Sequence, residues 1–579
     1  MSIHYRISLD RPEAHLFHVE LEVKKPRAGE WVFMLPAWLP GSYMIRDMAG
    51  ELSAVTARVD DTEWDLDKVD KTTWMTVIPE TAKTISISYD VFAQDNSVRR
   101  AWLDTQRGFF NASSLCLLPL GLDREPVKIT IKTDSDFCRK WSLATTLTPV
   151  KINHLGFGTY FASDYEELID SPVEMGTWEA IEFKAFGVPH RIIVSGAVFP
   201  FDRERLRDDI RRACETVIAF FDPQHKKAPF DHYDFYLNLS SDAYGGLEHS
   251  CSTALIASWF DLPRKDTAKD DEAYVRLLGL FTHEYFHAWW VKRVKPAIFI
   301  PYDLRFESYS RLLWVFEGFT SYYDHLLLRR AGLIDEKTYC NYFAGLLTRH
   351  MSASARHRQS LAESSFDAWI KYYKVRTNRA NSVVSYYDKG ALVAYALDAT
   401  IRQKTQDKKS LDDVLRHAWT LYVEAGDDYA GVDEESMGEL FVDAAGINVD
   451  ELIDRWVYHT EEPDYESLLA QDGATVKKTS LERCRSIFGM TVGGETTLAV
   501  RSIDDASPAQ KAGIAEGDEL VAIAGIRVKK TSWERLLVGI CDSKKVRVEL
   551  FRDDRLLSFD VHLRQALLQK YELLPKQGN

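Results

Sequence analysis

The 579-residue chain has no apolar run long enough to cross a membrane. Its longest nearly unbroken stretch, Leu115 to Leu122, already contains Pro119 and Gly121, whereas a spanning helix takes roughly 20 apolar residues. It also lacks the basic start and apolar stretch of a secretory signal, since Met1-Ser2-Ile3-His4-Tyr5-Arg6 passes straight into alternating residues. A cytoplasmic protein without a membrane partner is expected. Basic residues are in deficit, 72 against 87 acidic ones for a formal charge of −15, and phosphate binding draws on a basic surplus or patch, so nucleic acid is excluded as a partner. Cysteine is scarce: seven residues at 116, 138, 214, 251, 340, 484 and 541, odd in number and without a CxxC pair. That spacing argues against a disulfide framework and a thiolate zinc site. Repeats and low-complexity tracts are missing too. With 45% hydrophobic residues the chain can bury real cores, which excludes global disorder, and its length predicts three or four domains.

What is present changes character along the chain. Up to about residue 170, alternating segments such as Phe17-His18-Val19-Glu20-Leu21-Glu22-Val23 and Val127-Lys128-Ile129-Thr130-Ile131 read as strands with one wet face. From about 200 to 465 the period becomes helical, with predicted helices Asp202 to Phe221, Asp271 to Val294, Arg311 to Arg330, Asp388 to Arg402 and Leu411 to Glu424. Pro296, Gly332 and a Ser410 N-cap supply stop and start signals. Residues 470 to 480 read as a polar linker, and a separate small domain follows from about 481.

The sharpest signal is His283-Glu284-Tyr285-Phe286-His287, an HExxH sequence in a segment whose apolar residues Tyr274, Leu277, Leu278, Phe281 and Tyr285 recur at helical spacing. On a helix, residues four apart share a face, so both imidazoles can ligate one Zn²⁺ while Glu284 stands beside the metal as general base. In this composition the pattern is expected by chance only about 0.07 times. A catalytic zinc takes a third protein ligand and keeps a fourth position open. Glu317, set among apolar residues in Trp314-Val315-Phe316-Glu317-Gly318-Phe319, is the candidate, because a lone carboxylate there is costly without a cation. Asp324, two turns further along, is either a second-shell acceptor for a ligand histidine or a solvated helix acid.

HEYFHAWWVKRVKP followed by WVFEGFTSYY resembles the glycyl aminopeptidase family of zinc metallopeptidases, relatives of the aminopeptidase N and leukotriene A4 hydrolase group among the gluzincins. Leu35-Pro36-Ala37-Trp38-Leu39-Pro40-Gly41-Ser42-Tyr43, Tyr244-Gly245-Gly246-Leu247-Glu248-His249 and Tyr386-Tyr387-Asp388-Lys389-Gly390 fit the same family, so the resemblance covers essentially the whole chain. It implies one Zn²⁺ per chain on His283, His287 and Glu317, with Tyr387, or its neighbour Tyr386, donating to the oxyanion. Glu248 resembles the anion that captures the α-amino group, and His249 follows it. The implied activity is a zinc-dependent aminopeptidase acting on peptides with a free N-terminus and preferring a first residue of Gly or Ala.

The tail carries Ser507-Pro508-Ala509-Gln510-Lys511-Ala512-Gly513-Ile514 and Glu516-Gly517-Asp518-Glu519-Leu520, which resemble a PDZ domain. Ile487, Phe488, Gly489 and Met490 would then form its carboxylate-binding loop, with a C-terminal peptide as a second partner. The expected fold is multidomain α+β: an N-terminal β-sandwich-like domain (1–170), a thermolysin-like catalytic domain (171–335), a helical domain completing the active-site cleft (336–470) and the PDZ domain (478–570). The alternatives from other classes are a PDZ scaffold with a degenerate peptidase core, and a zinc hydrolase of a non-peptide substrate.

Overall fold

The computed structural model describes residues 1–374, 377–563 and 569–575. The chain divides into two compact units, one of residues 1–308, 327–334 and 418–432, the other of 309–326, 335–417 and 433–579. No helix among the described residues is long and apolar enough to cross a membrane.

The first unit opens with the expected β-rich region. Eight strands lie in the order Thr148–Ile152, Gly158–Ala162, Val127–Lys132, Ser2–Arg11, Leu16–Lys24, Thr84–Phe92, Leu52–Val59 and Thr62–Trp64, accompanied by two four-stranded sheets. Alternation decides the facing: Phe17, Val19, Leu21 and Val23 are buried while His18 and Lys24 are exposed. A five-stranded sheet follows, ordered Glu179–Ala185, Val188–Ser195, Tyr233–Ser240, Ser252–Ser258 and Gly245–Glu248. Sequence periodicity does not reveal it, because Tyr233–Ser240 and Ser252–Ser258 are buried on both faces and carry no alternation.

The helix Glu272–Phe286 packs on this sheet and is capped by Asp271, whose side chain accepts from the Tyr274 N–H at 3.0 Å. It is shorter than the predicted Asp271–Val294. His287 is its C-cap, and the chain then turns, with Lys292 N–H donating to the His287 carbonyl (3.1 Å) and Val291 N–H to that of Val294 (2.7 Å). The apolar run Ala288 to Val291 imitates more helix, but Trp289 and Trp290 are both buried outside it, Trp289 in an aromatic cluster where it stacks on Phe221 at 5.2 Å. Val291 adopts φ 94° within this turn, a strained conformation for a β-branched residue.

The second unit is mainly helical, with Glu336–Ser352 and Asp388–Thr405 among its longest helices. The predicted helix from Arg311 begins instead with a π-turn, Trp314–Gly318, before the α-helix Phe319–Arg330. The π-turn lies against Asp388–Thr405 so tightly that a Cβ on Gly318 would stand 2.5 Å from the Gly390 Cα.

The tail sheet runs Met490–Gly493, Ala499–Ile503, Glu519–Ile523, Lys545–Arg552 and Arg555–His562, closed by the helix Trp533–Ile540 over a core that includes Phe488, Val500, Leu537 and Val548. The expected linker at 470–480 is not a linker. After the helix Tyr465–Gln471, Thr475–Ser480 is a strand paired with Gln569–Leu574. Most of its side chains face solvent, so no apolar alternation marks it. The tail is tied to the helices of its unit by polar contacts: Arg485 Nη1 to Ser352 Oγ at 3.1 Å, and Asn381 Nδ2 to the Ile503 carbonyl at 2.7 Å.

Candidate active site

In the first unit, one helical turn separates His283 from His287, and their Nε2 atoms are 3.1 Å apart. The Nδ1 of His287 lies 2.9 Å from the Trp290 carbonyl oxygen. A carbonyl only accepts, so Nδ1 carries the proton and a neutral ring leaves its Nε2 lone pair facing His283. Two imidazole nitrogens this close share a proton or flank a cation, and the chemistry of the pair suits Zn²⁺. Sequence alone does not show the Trp290 carbonyl as the group that orients His287.

Glu284 is buried, and the edge strand Gly245–Glu248 crosses it closely: a Cβ on Gly246 would lie 2.2 Å from Glu284 Oε1. Only glycine admits this approach. Side chains alternate along a strand, so Glu248 leaves the strand on the same face as that missing Cβ, toward the side where Glu284 lies. Glu248 is 4% exposed, and its Oε1 has no hydrogen-bond partner. Gly41, at φ +88°, stands against it, and a Cβ there would be 2.7 Å from both carboxylate oxygens. The glycines of Leu39-Pro40-Gly41-Ser42 and Gly245-Gly246 thus bring backbone against the two carboxylates. Arg99 Nη2 donates to the Gly246 carbonyl at 3.1 Å on the strand's way past.

His249 turns to a different partner, with its Nδ1 3.1 Å from Asp170 Oδ1. The same carboxylate accepts from Lys292 Nζ at 2.7 Å and from the Ser250 N–H at 2.9 Å. Burial acts to raise the Asp170 carboxyl, but Lys292 and His249 override it and hold the group well below the usual carboxylate range. Burial likewise opposes the Lys292 charge, and Asp170, with help from Tyr302 and Glu248, keeps the ammonium above its ordinary value.

In the second unit, Glu317 is buried in the π-turn, a geometry enriched at functional sites. Near it sits a cluster of four tyrosines, Tyr372, Tyr373, Tyr386 and Tyr387. Tyr386 is fully buried, whereas Tyr387 is partly exposed and its hydroxyl lies 2.7 Å from that of Tyr373. Burial first, then the Glu317 charge, pushes the Tyr387 phenol well above its usual value, so it stays a hydrogen-bond donor. Tyr373 escapes sequence reasoning because it lies in no motif. Asp324 bonds the Nδ1 of His325 at 2.7 Å, and that ring stacks on Tyr342.

In the tail, Ile487 and Phe488 end the helix Arg483–Phe488, and Met490 begins the edge strand; all three side chains are in the core. Gly489 caps the helix at φ 67°, and its N–H donates to the Arg485 carbonyl at 2.9 Å.

Comparison with known proteins adds to this geometry. Residues 4–177 match the Peptidase M61 N-terminal domain, and residues 276–393, which carry the histidines, Glu317 and the paired tyrosines, match the M61 glycyl aminopeptidase model. An aminopeptidase N family protein from Idiomarina loihiensis is similar along nearly its full length, at 32% identity over 99% of this chain and 98% of that one, with a TM-score of 0.94. An M1 zinc metallopeptidase from Deinococcus radiodurans (15% identity, 80% of this chain, 95% of that one, TM-score 0.47) and native yeast LTA4 hydrolase (14%, 81% and 70%, TM-score 0.48) are more remote. The search of curated proteins finds no match. From the helix with its paired histidines to the full-length likeness, the chain belongs to the M61 glycyl aminopeptidase family and is a peptidase.

Proposed function

We propose that the protein is a zinc-dependent aminopeptidase that removes a first residue of glycine or alanine from peptides. His283, His287 and Glu317 are the proposed ligands of one Zn²⁺ per chain, a set of one half-buried and two buried groups able to hold a metal ion. When bound, the metal supplies a Lewis acid and an acidified water. Glu284 Oε takes the proton of the attacking water and passes it to the departing amine. The Tyr387 hydroxyl donates to the carbonyl oxygen as charge grows there, with Tyr373 holding the ring's hydroxyl in place. Tyr387 is preferred to Tyr386 because it is partly exposed whereas Tyr386 is fully buried. Asp324 is kept as an outer-sphere residue, acting through its hydrogen bonds.

The observation that carries the reading is Glu248, a buried carboxylate with an unpartnered oxygen on the strand face that meets Glu284. Such a group calls for a cation, and a substrate ammonium fixed there brings only the first peptide bond to the base. The Gly41 backbone closes on the Glu248 carboxylate, so an amine held there would lie in a tight corner, which supports the preference for small residues. The test is kcat/KM for glycyl and acetyl-glycyl amides with wild type and Glu248→Ala. The blocked substrate should be slower by roughly 10- to 100-fold with the wild type, and Glu248→Ala should add little to that loss. Equal rates on free and blocked substrates would overturn the aminopeptidase reading. Alanyl and leucyl amides in the same panel measure the size preference, and leucine as the best residue would refute it.

For the tail, the PDZ-like reading rests on the position of Met490–Gly493 at the edge of its sheet, where a peptide can add as a strand. Because the Gly489 N–H is already engaged, the strand rather than the loop would do most of the holding. Titration of the full chain with a fluorescent apolar C-terminal peptide should saturate, and the absence of binding at millimolar peptide would reject the reading.

A further inference from the structure

Lys292 is a buried ammonium within the influence of Glu248, yet its partner is another carboxylate. The backbone explains how it comes to lie there. The turn leaving the helix at His287 is pinned by Lys292 N–H to the His287 carbonyl and passes through the strained Val291. Arg293 fastens it further, donating from Nη1 to the carbonyls of Ala288 (2.6 Å) and Ser250 (2.9 Å). Lys292 is thereby carried beside the Glu248-His249-Ser250 turn. An ammonium in this position is an internal competitor for the amine anchor, because a charge-assisted pair with Glu248 would fill the oxygen that the substrate needs.

Asp170 stands where it can prevent that. Its Oδ1 takes Lys292 at 2.7 Å, and the His249 ring and the Ser250 N–H complete its hydrogen bonds; two of the three donors directly follow the anchor in sequence, and the third lies in the turn that leaves the histidine helix. We propose that Asp170 is a positioning residue that sequesters the Lys292 ammonium, so that the Glu248 carboxylate is left open for the ammonium of the substrate. This rests on reading Glu248 as the amine anchor. The arrangement accounts for a buried carboxylate oxygen without a partner within the influence of a buried cation: Lys292 is already held by Asp170.

The experiment is steady-state kinetics on glycyl and acetyl-glycyl amides, with zinc content measured for each protein. In Asp170→Asn, Lys292 loses its charged partner and turns to Glu248. KM for the glycyl amide should rise about tenfold, with kcat and zinc content changed less than twofold and acetyl-glycyl hydrolysis unaffected. Adding Lys292→Met removes the competitor and should return KM to within about twofold of wild type. Lys292→Met alone should also leave that KM within twofold, which keeps the proposal testable if Asp170→Asn fails to fold. An unchanged KM in Asp170→Asn, a double variant no better than the single, or a tenfold KM rise in Lys292→Met alone would each overturn it. Failure of the anchor reading shows separately, as wild-type indifference to acetylation.

Discussion

Replacing Glu284 by Gln is expected to leave the fold and bound metal intact and to slow turnover by roughly 10²- to 10⁴-fold, the usual contribution of a positioned acid–base group. Gln matches Glu in size, which matters because the Gly246 backbone leaves no slack beside Oε1: a single added carbon would already be 2.2 Å away. In the proposed role, what the substitution removes is the capacity to accept a proton from water and return it to the amine. The loss should therefore fall on kcat and kcat/KM together, with KM little changed. Measurement of kcat beside zinc content checks this, and near-wild-type turnover in a zinc-loaded Glu284→Gln protein would place the base elsewhere.

The double change His283→Ala, His287→Ala should have a still larger effect. With both imidazoles gone, the remaining ligand set is a single carboxylate, and zinc content should fall from about one per chain to near zero. Water then keeps its bulk acidity, so hydrolysis should fall by at least about 10³-fold. A stability readout accompanies the loss. A metal bound at a hundred times its dissociation constant adds about 2.7 kcal/mol to the folded state, so chelation should lower the wild-type melting temperature and leave the variant's unmoved. Full zinc occupancy in the variant would refute the ligand assignment.

The legible parts of the chain are those where one residue pattern does one job. The N-terminal strands show because Phe17, Val19, Leu21 and Val23 alternate with wet residues, and the histidine pair shows because its spacing is that of a helical face. The central sheet is invisible because both faces of Tyr233–Ser240 are buried, and the Thr475–Ser480 strand because almost nothing in it is. The end of the histidine helix is hidden by Trp289 and Trp290, whose apolarity serves burial, for Trp289 in an aromatic cluster, rather than another turn. Tyr373 and Asp170 belong to a different class of omission. Each is bound to partners distant in sequence, Tyr373 to Tyr387 and Asp170 to Lys292, His249 and Ser250, and no local periodicity records such pairings.

The contact between Gly318 and Gly390 bears on how this enzyme can change. A Cβ on the first would lie 2.5 Å from the backbone of the second, and a Cβ on the second 2.8 Å from that of the first. Neither bears a functional atom, yet Gly318 adjoins Glu317 and Gly390 lies one turn beyond Tyr387. Enlarging either residue should wedge the π-turn off the helix and move the proposed ligand Glu317 and the proposed donor Tyr387 together. Mutational drift therefore cannot tune the carboxylate and the phenol independently through their own backbones. The two positions form a lock without a one-step key, and new specificities must arise in side chains around the site while this crossing stays fixed.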